Sequence, residues 1–236
     1  MKKEEFPGAF ITLEGPDGSG KTSNIDYLAE QIRALGHDVV LTREPGGSQV
    51  GEMLRKIVIE KYMPPMAELL VMFAARADHV ETLIKPAMRQ GKVVISDRFV
   101  DSTYAYQGHG RDMAHEVVEL ERLVLQGFRP DLTLFFDVSL DESLARLRSR
   151  PGKSDRFDTE EIAFRQAVWA GYQYRFNTDH HNRMRRIDAM QTPEEVRNQV
   201  RAFAQRKFYA WAALHKAKWE ELHQESDKKG EDRGTE

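Results

Sequence analysis

The sequence predicts an α/β fold, a parallel five-stranded sheet with helices on both faces. Two observations carry this expectation. Short apolar runs bounded by turn residues alternate along the chain with stretches of helical period. The first of these runs leads directly into GPDGSGKTS, Gly15 to Ser23, which fits the phosphate-loop pattern G-x-x-x-x-G-K-[ST]. Strand, glycine-rich loop and helix in that order belong to nucleotide-binding sheets, whose ligands sit outside the carboxyl ends of the strands.

The elements follow in order. AFITLE (Ala9 to Glu14) has the continuous apolar character of a buried strand, and the phosphate loop opens a helix near Lys21 to Leu35. DVVLTRE supplies a second strand. Ser48 to Lys61 and Met66 to Gln90 carry helical patterns, with Pro86 expected to kink the second. KVVISD is a third strand, a helix is expected around Ala114 to Gln126, and DLTLFFDV is a fourth strand. A short helix over Asp141 to Arg148 runs into the polar, basic piece SRPGKSDRFD, which reads as a mobile lid over about residues 149–158. A helix from Thr159 to about Asn177, the strand MRRID and a last helix opening at Thr192-Pro193 complete the series, Pro193 suiting a first helical turn. Glu14, Arg43, Asp97 and Asp137 all fall near strand ends.

Whole-chain properties narrow the function classes. With 236 residues, one domain over about residues 1–207 is expected. Residues 208–236, including KWEELHQESDKKGEDRGTE, lose apolar content and read as a helical extension with a disordered tail. A net charge of −3 argues against bulk nucleic-acid binding, while leaving room for a local basic site. Zero cysteines exclude disulfides, Cys-ligated zinc and thiol nucleophiles. The start, MKKEEFPGAFITLEG, has an apolar run too short for a signal peptide, and no run approaches membrane-spanning length, so a cytoplasmic protein without a membrane partner is expected.

The chemistry starts at the phosphate loop, Gly15, Pro16, Asp17, Gly18, Ser19, Gly20, Lys21 and Thr22. Its glycines let backbone N–H groups turn inward, and the following helix presents its positive end to the same anion. Lys21 adds a point charge and Thr22 a hydroxyl for Mg²⁺, which makes nucleotide phosphates and Mg²⁺ the expected ligands. Asp97 and Arg98 follow the third strand, where an acid suits a Mg²⁺ shell and an arginine suits bidentate phosphate binding. The competing explanation is an ordinary surface ion pair. Arg43 and Glu44 stand at another strand end before a glycine turn, with Glu44 a candidate on the substrate side. In and around the lid lie Arg146, Arg148, Arg150, Lys153 and Arg156; Arg150 is the catalytic candidate, with Arg148, Lys153 and Arg156 as alternatives and part of the cluster expected merely to solvate a face.

FITLEGPDGSGKTS, LTREPGGS, ELLVMFAARADHV, VVISDRFVDSTYAYQGHGR and PDLTLFFDV, in this order and spacing, resemble the bacterial thymidylate kinases. The resemblance runs from about Phe10 to Ala189. It implies ATP-dependent conversion of dTMP to dTDP on a nucleoside-monophosphate-kinase fold with a lid, usually as a homodimer. It also implies roles. Asp17 is similar to the family's acidic residue facing the deoxyribose 3′-hydroxyl, Arg98 to the arginine that clamps the dTMP phosphate, and Asp97 to its neighbour near Mg²⁺. Phe73 and Arg76 fall where the family stacks thymine and reads its carbonyl edge. Met72 stands where many relatives place the stacking phenylalanine, so either Met72 or Phe73 can cover the base. Thr103 and Gln107 match polar positions around the base, and Tyr106 an aromatic that crowds out a ribose 2′-hydroxyl. The phosphate loop lacks the arginine some relatives carry there, which shifts the catalytic arginine to the lid.

A phosphate acceptor fits these residues. Its second pKa of about 6 leaves it ionised at neutral pH, so transfer needs positioning and charge stabilisation rather than a general base. A phosphate-loop switch would instead need a water-positioning residue and loops that respond to the γ-phosphate. A kinase for another nucleoside monophosphate is the nearer alternative, separable by a panel of acceptors.

Overall fold

The computed structural model describes residues 7–149, 157 and 160–206. Most of the expected lid, with Arg150, Lys153 and Arg156, and the C-terminal extension lie outside the described residues.

Five strands, β1 (Ala9–Glu14), β2 (Val39–Arg43), β3 (Val93–Asp97), β4 (Leu132–Asp137) and β5 (Met184–Asp188), form one all-parallel sheet in the order β2-β3-β1-β4-β5. Strand β1 is central and fully buried, with Ile11 opposite Ile95 of β3 on one edge and Leu132 of β4 on the other. Alternation sends its side chains to two cores. Ala9, Ile11 and Leu13 join Leu28 and Ile32 of α1 (Thr22–Ala34) on one face. Phe10 packs on the other with Phe73, Ile84, Phe99 and Phe128. A helix over 193–206 closes the first face through Val196, Val200 and Ala204.

The second face carries α2 (Gln49–Glu60), α3 (Pro65–His79) and α6 (Ala114–Leu125). Helix α2 starts at Ser48, whose side chain accepts the Gly51 N–H. The kink expected at Pro86 takes a different form. Ahead of it the helix widens into a π turn over Val80–Ile84 and resumes as α4 (Lys85–Arg89), one turn after α3 ends. Proline lacks an N–H and would clash with the carbonyl four residues back, and the wider turn removes both conflicts. A second π segment, Tyr104–His109, continues the short α5 (Val100–Thr103). Helix α8 (Ile162–Asn177) lies against it, and α7 (Leu140–Ser149) leads away from β4. Close approach there requires Gly171, since a Cβ would sit 2.8 Å from the Ala105 Cα.

Candidate active site

The carboxyl ends of β1, β2, β3 and β4 converge at the phosphate loop. Gly15, Gly18 and Gly20 all have positive φ, and at Gly18 a Cβ would lie 2.6 Å from the Ser143 carbonyl oxygen. Lys21 Nζ donates to the Gly15 and Pro16 carbonyls at 2.7 and 2.9 Å and to Ser19 Oγ at 3.3 Å. Helix α1 has no side-chain cap at its N-terminus, so its first-turn N–H groups face the loop. Burial and the Arg98 charge lower the Lys21 ammonium to about 8, against the attraction of Asp97, Asp17 and Glu14. Phosphate oxygens at this position would favour the charged form.

Thr22 Oγ1 donates to Asp97 Oδ2 at 3.4 Å, and the buried Asp97 Oδ1 has no protein partner. A hydroxyl beside a carboxylate with a spare oxygen suits Mg²⁺, which takes one or two protein oxygens and completes its shell with water and phosphate. Among the described residues no group of three or more His, Asp or Glu side chains forms a dedicated metal cage, in keeping with that sparse mode of binding.

Arg98 occupies the left-handed region, with φ 72°, a conformation non-glycine residues hold only when neighbours enforce it. Its own N–H donates to the Leu13 carbonyl at 3.0 Å, its carbonyl accepts from Ser96 Oγ at 2.8 Å, and the next N–H, of Phe99, donates to Glu14 Oε1 at 2.6 Å. So held, the guanidinium reaches Asp17 Oδ1, Tyr172 Oη at 2.6 Å, Ser102 Oγ at 3.1 Å and Tyr106 Oη at 3.2 Å. Burial alone would raise the Asp17 carboxyl, but Arg98, Lys21 and the Tyr106 hydroxyl outweigh it and hold it at about 2. Asp17 and Arg98 are therefore a charged pair across the cleft.

The base end of the cleft is built on α3 and the second π segment. Arg76 is 1% exposed, with Nε donating to Glu44 Oε2 at 2.8 Å and one terminal nitrogen donating to Thr103 Oγ1 at 2.8 Å and the Phe99 carbonyl at 3.3 Å. Its other terminal nitrogen is buried without a partner. Gln107 Nε2 donates to Glu68 Oε1 at 2.7 Å, and Gln107 Oε1 is likewise buried and unpartnered. Met72 lines the cleft with Arg76, Tyr106 and Gln107. Phe73 does not: helical spacing turns it into the core against Phe10 and Val94, where its ring lies 5.0 Å beneath the Arg76 guanidinium. Glu44 lines the cleft, yet both its oxygens are taken, by Arg76 and by His79.

Of the expected residues, Asp17, Glu44, Arg76, Arg98, Tyr106 and Gln107 line one cleft, Lys21, Thr22 and Asp97 stand at the phosphate loop, and Thr103 is fully buried against Arg76. Arg148, the lid candidate within the described residues, is exposed at the end of α7. Ser102, Tyr172, Glu68 and His79 are not among the expected site residues; Ser102, Glu68 and His79 lie inside stretches that carry the resemblance, yet each of the four acts by touching another side chain. Glu14 was visible only as a strand end.

Comparison with known proteins adds identity to this geometry. The family profile described as "Thymidylate kinase" matches residues 13–200. A thymidylate kinase of Ectopseudomonas mendocina is 47% identical over 200 residues, covering 83% of this chain and 94% of the relative. One from Pseudomonas syringae pv. syringae is 47% identical over 193 residues, 80% of this chain and 91% of the relative. One from Pseudomonas fluorescens SBW25 is 52% identical over 165 residues, 68% of this chain and 78% of the relative.

Proposed function

The chain belongs to the thymidylate kinase family, and from that premise we infer that its own residues divide between a triphosphate site at the loop and a thymidine monophosphate site in the adjoining cleft. The protein is a dTMP kinase: it phosphorylates dTMP to dTDP. ATP is the proposed donor, its phosphates held by the loop N–H groups and Lys21; Thr22 and Asp97 would hold Mg²⁺, which would supply charge neutralisation at the phosphates. Arg98 holds the acceptor phosphate, in a frame fixed by Ser102 and Tyr172, with one phosphate oxygen in line for transfer. Asp17 and Tyr106 close on the deoxyribose edge. The lid, about residues 149–158 of a single kinase domain spanning 1–207, brings Arg150 or a neighbour to the transferring group. We further propose that the enzyme works as a homodimer in the cytoplasm, on free nucleotides rather than nucleic acid.

One observation supports the base assignment most directly. The cleft holds an unpartnered donor, the Arg76 terminal nitrogen, and an unpartnered acceptor, Gln107 Oε1. Thymine offers the complementary edge, a carbonyl oxygen beside the N3–H, whereas cytosine offers an amino group beside a bare nitrogen. Gln107 cannot turn its amide over to suit cytosine, because that would set Oε1 against the Glu68 carboxylate. The test is kcat/KM for dTMP, dUMP and dCMP with wild type and Arg76→Ala. The expected order is dTMP, dUMP, dCMP, with dUMP reduced only by the methyl contribution of about 1–3 kcal/mol and dCMP by about 10⁴. Arg76→Ala should narrow the gap between dTMP and dCMP. Equal use of dCMP and dTMP by wild type would overturn the base assignment.

A further inference from the structure

We propose that His79 is a positioning residue for base recognition, holding Glu44, and through it the Arg76 guanidinium, in the orientation that turns the free edge of Arg76 to the pyrimidine. The proposal rests on the base assignment above and extends it one shell outward, to a residue that touches no substrate.

His79 is 0% exposed at the C-terminal end of α3, three residues after Arg76 and on the same helix face. Its Nδ1 lies 2.9 Å from Glu44 Oε1, and its Nε2 lies 2.7 Å from Thr42 Oγ1. Both partners are satisfied only when Nδ1 carries a proton. Nδ1–H then donates to the carboxylate, and Nε2 pairs with the Thr42 hydroxyl, accepting its proton when bare and donating to Oγ1 when protonated. Glu44 then has one oxygen on His79 and the other on Arg76 Nε, both at 3% side-chain exposure or less. Since Thr103 and the Phe99 carbonyl take one terminal nitrogen of Arg76, its orientation is fixed on two sides and the remaining nitrogen is the single edge left to a ligand.

Within this chain His79, Glu44 and Arg76 are buried, while Thr42 is partly exposed. Gly47, at φ 81°, lies over the Thr42–His79 contact, where a Cβ would meet Thr42 Oγ1 at 2.2 Å and His79 Nε2 at 2.4 Å. Without His79, one oxygen of a buried carboxylate loses its hydrogen bond, and Glu44 gains freedom to rotate away from Arg76. A loosened Arg76 should cost base affinity and base discrimination while leaving the triphosphate site untouched.

The test compares His79→Leu, which removes both ring nitrogens, with His79→Asn, whose amide N–H can occupy the Nδ1 position. His79→Leu is expected to raise the KM for dTMP about tenfold, leave the KM for ATP within twofold, and shrink the preference for dTMP over dCMP. His79→Asn should recover most of both losses. A folded His79→Leu enzyme with wild-type dTMP KM and discrimination, or one whose dTMP and ATP KM values rise together, would overturn the proposal. So would His79→Asn failing to outperform His79→Leu. Wild-type discrimination is measured alongside: if wild type does not prefer dTMP, the base assignment fails first. Should His79→Leu not fold, the ¹⁵N shifts of His79 in the wild-type enzyme decide: a proton on Nδ1 is expected, and a ring protonated on Nε2 alone would overturn the proposal.

Discussion

Glu14 ends the central strand with a carboxyl group that is fully buried, accepting from the Phe99 N–H and from Ser102 Oγ. Burial, helped by the charge of Asp101, pushes its pKa up to about 7, although Ser102, Arg98 and the Phe99 N–H pull the other way. Folding therefore retains a proton that an unfolded chain releases near 4.5. The stabilising effect is complete below that value and fades as pH rises through about 7, because over this interval the unfolded state binds fewer protons. Neighbouring groups titrate elsewhere: Asp17 is drawn down to about 2 and Lys21 to about 8. Glu14→Gln imitates the protonated form, keeping an acceptor for Phe99 and a donor for Ser102. Thermal unfolding of wild type and Glu14→Gln from pH 5 to 7.5 is expected to show the wild-type Tm falling relative to the variant as pH rises. Parallel curves would mean that Glu14 does not hold its proton. The same carboxyl shows why motif reading stops short of the site: its task is to pin the backbone of Arg98, and only the fold brings positions 14 and 98 together.

At the scale of elements, the strands were legible because parallel strands buried on both faces read as continuous apolar runs, and AFITLE, KVVISD and DLTLFFDV are such runs. The phosphate loop was legible because its chemistry is local. The helical stretch from Val100 to His109 was not, since VDSTYAYQGH carries β-branched residues, tyrosines and a glycine in place of a helical stripe. Its helicity comes from α8 and α6 packed on either side, and that packing also decides where Tyr106 and Gln107 point. Met72 and Phe73 illustrate the same limit, since helical spacing from Arg76 admits both and only the tertiary environment separates them. Gly171 is the contact point between α8 and the π segment, with the Ala105 Cα 2.8 Å and the His109 Cβ 3.0 Å from any added Cβ. Gly171→Val should force the two apart at a cost of about 1–3 kcal/mol in stability. It should also carry Tyr172, the next residue, away from Arg98. Urea unfolding and dTMP kinetics on one preparation check both parts: a variant as stable as wild type, or one with unchanged KM for dTMP, would show that the helices yield without disturbing the phosphate side.

For the whole molecule, the question is what covers the outer face of α2, α3 and α6. Most large apolar side chains exposed among the described residues lie there, with Met53 and Ile57 one turn apart on α2, Met66 and Leu70 one turn apart on α3, and Val118 and Leu123 on α6. Exposed apolar side chains grouped on these helices are what the proposed homodimer would bury. Such pairing also bears on catalysis. The inward face of α3 carries Met72, Arg76 and His79, while Met66 and Leu70 face out from the same helix. A partner packed on the outer face would therefore steady the helix that reads the base. Placing charge on both outer stripes with Met53→Glu and Leu70→Glu together should abolish pairing, since neither carboxylate can be desolvated against an apolar partner without a large penalty. Light scattering on the eluting peak should then fall from twice the chain mass of 27.2 kDa to a single chain. The monomer should keep its KM for ATP and show a raised KM for dTMP, because the phosphate loop stands on β1 and α1, away from this face. A wild-type peak already at single-chain mass at micromolar concentration would remove the homodimer. A dissociated variant with unaltered dTMP kinetics would keep the dimer but separate it from base recognition.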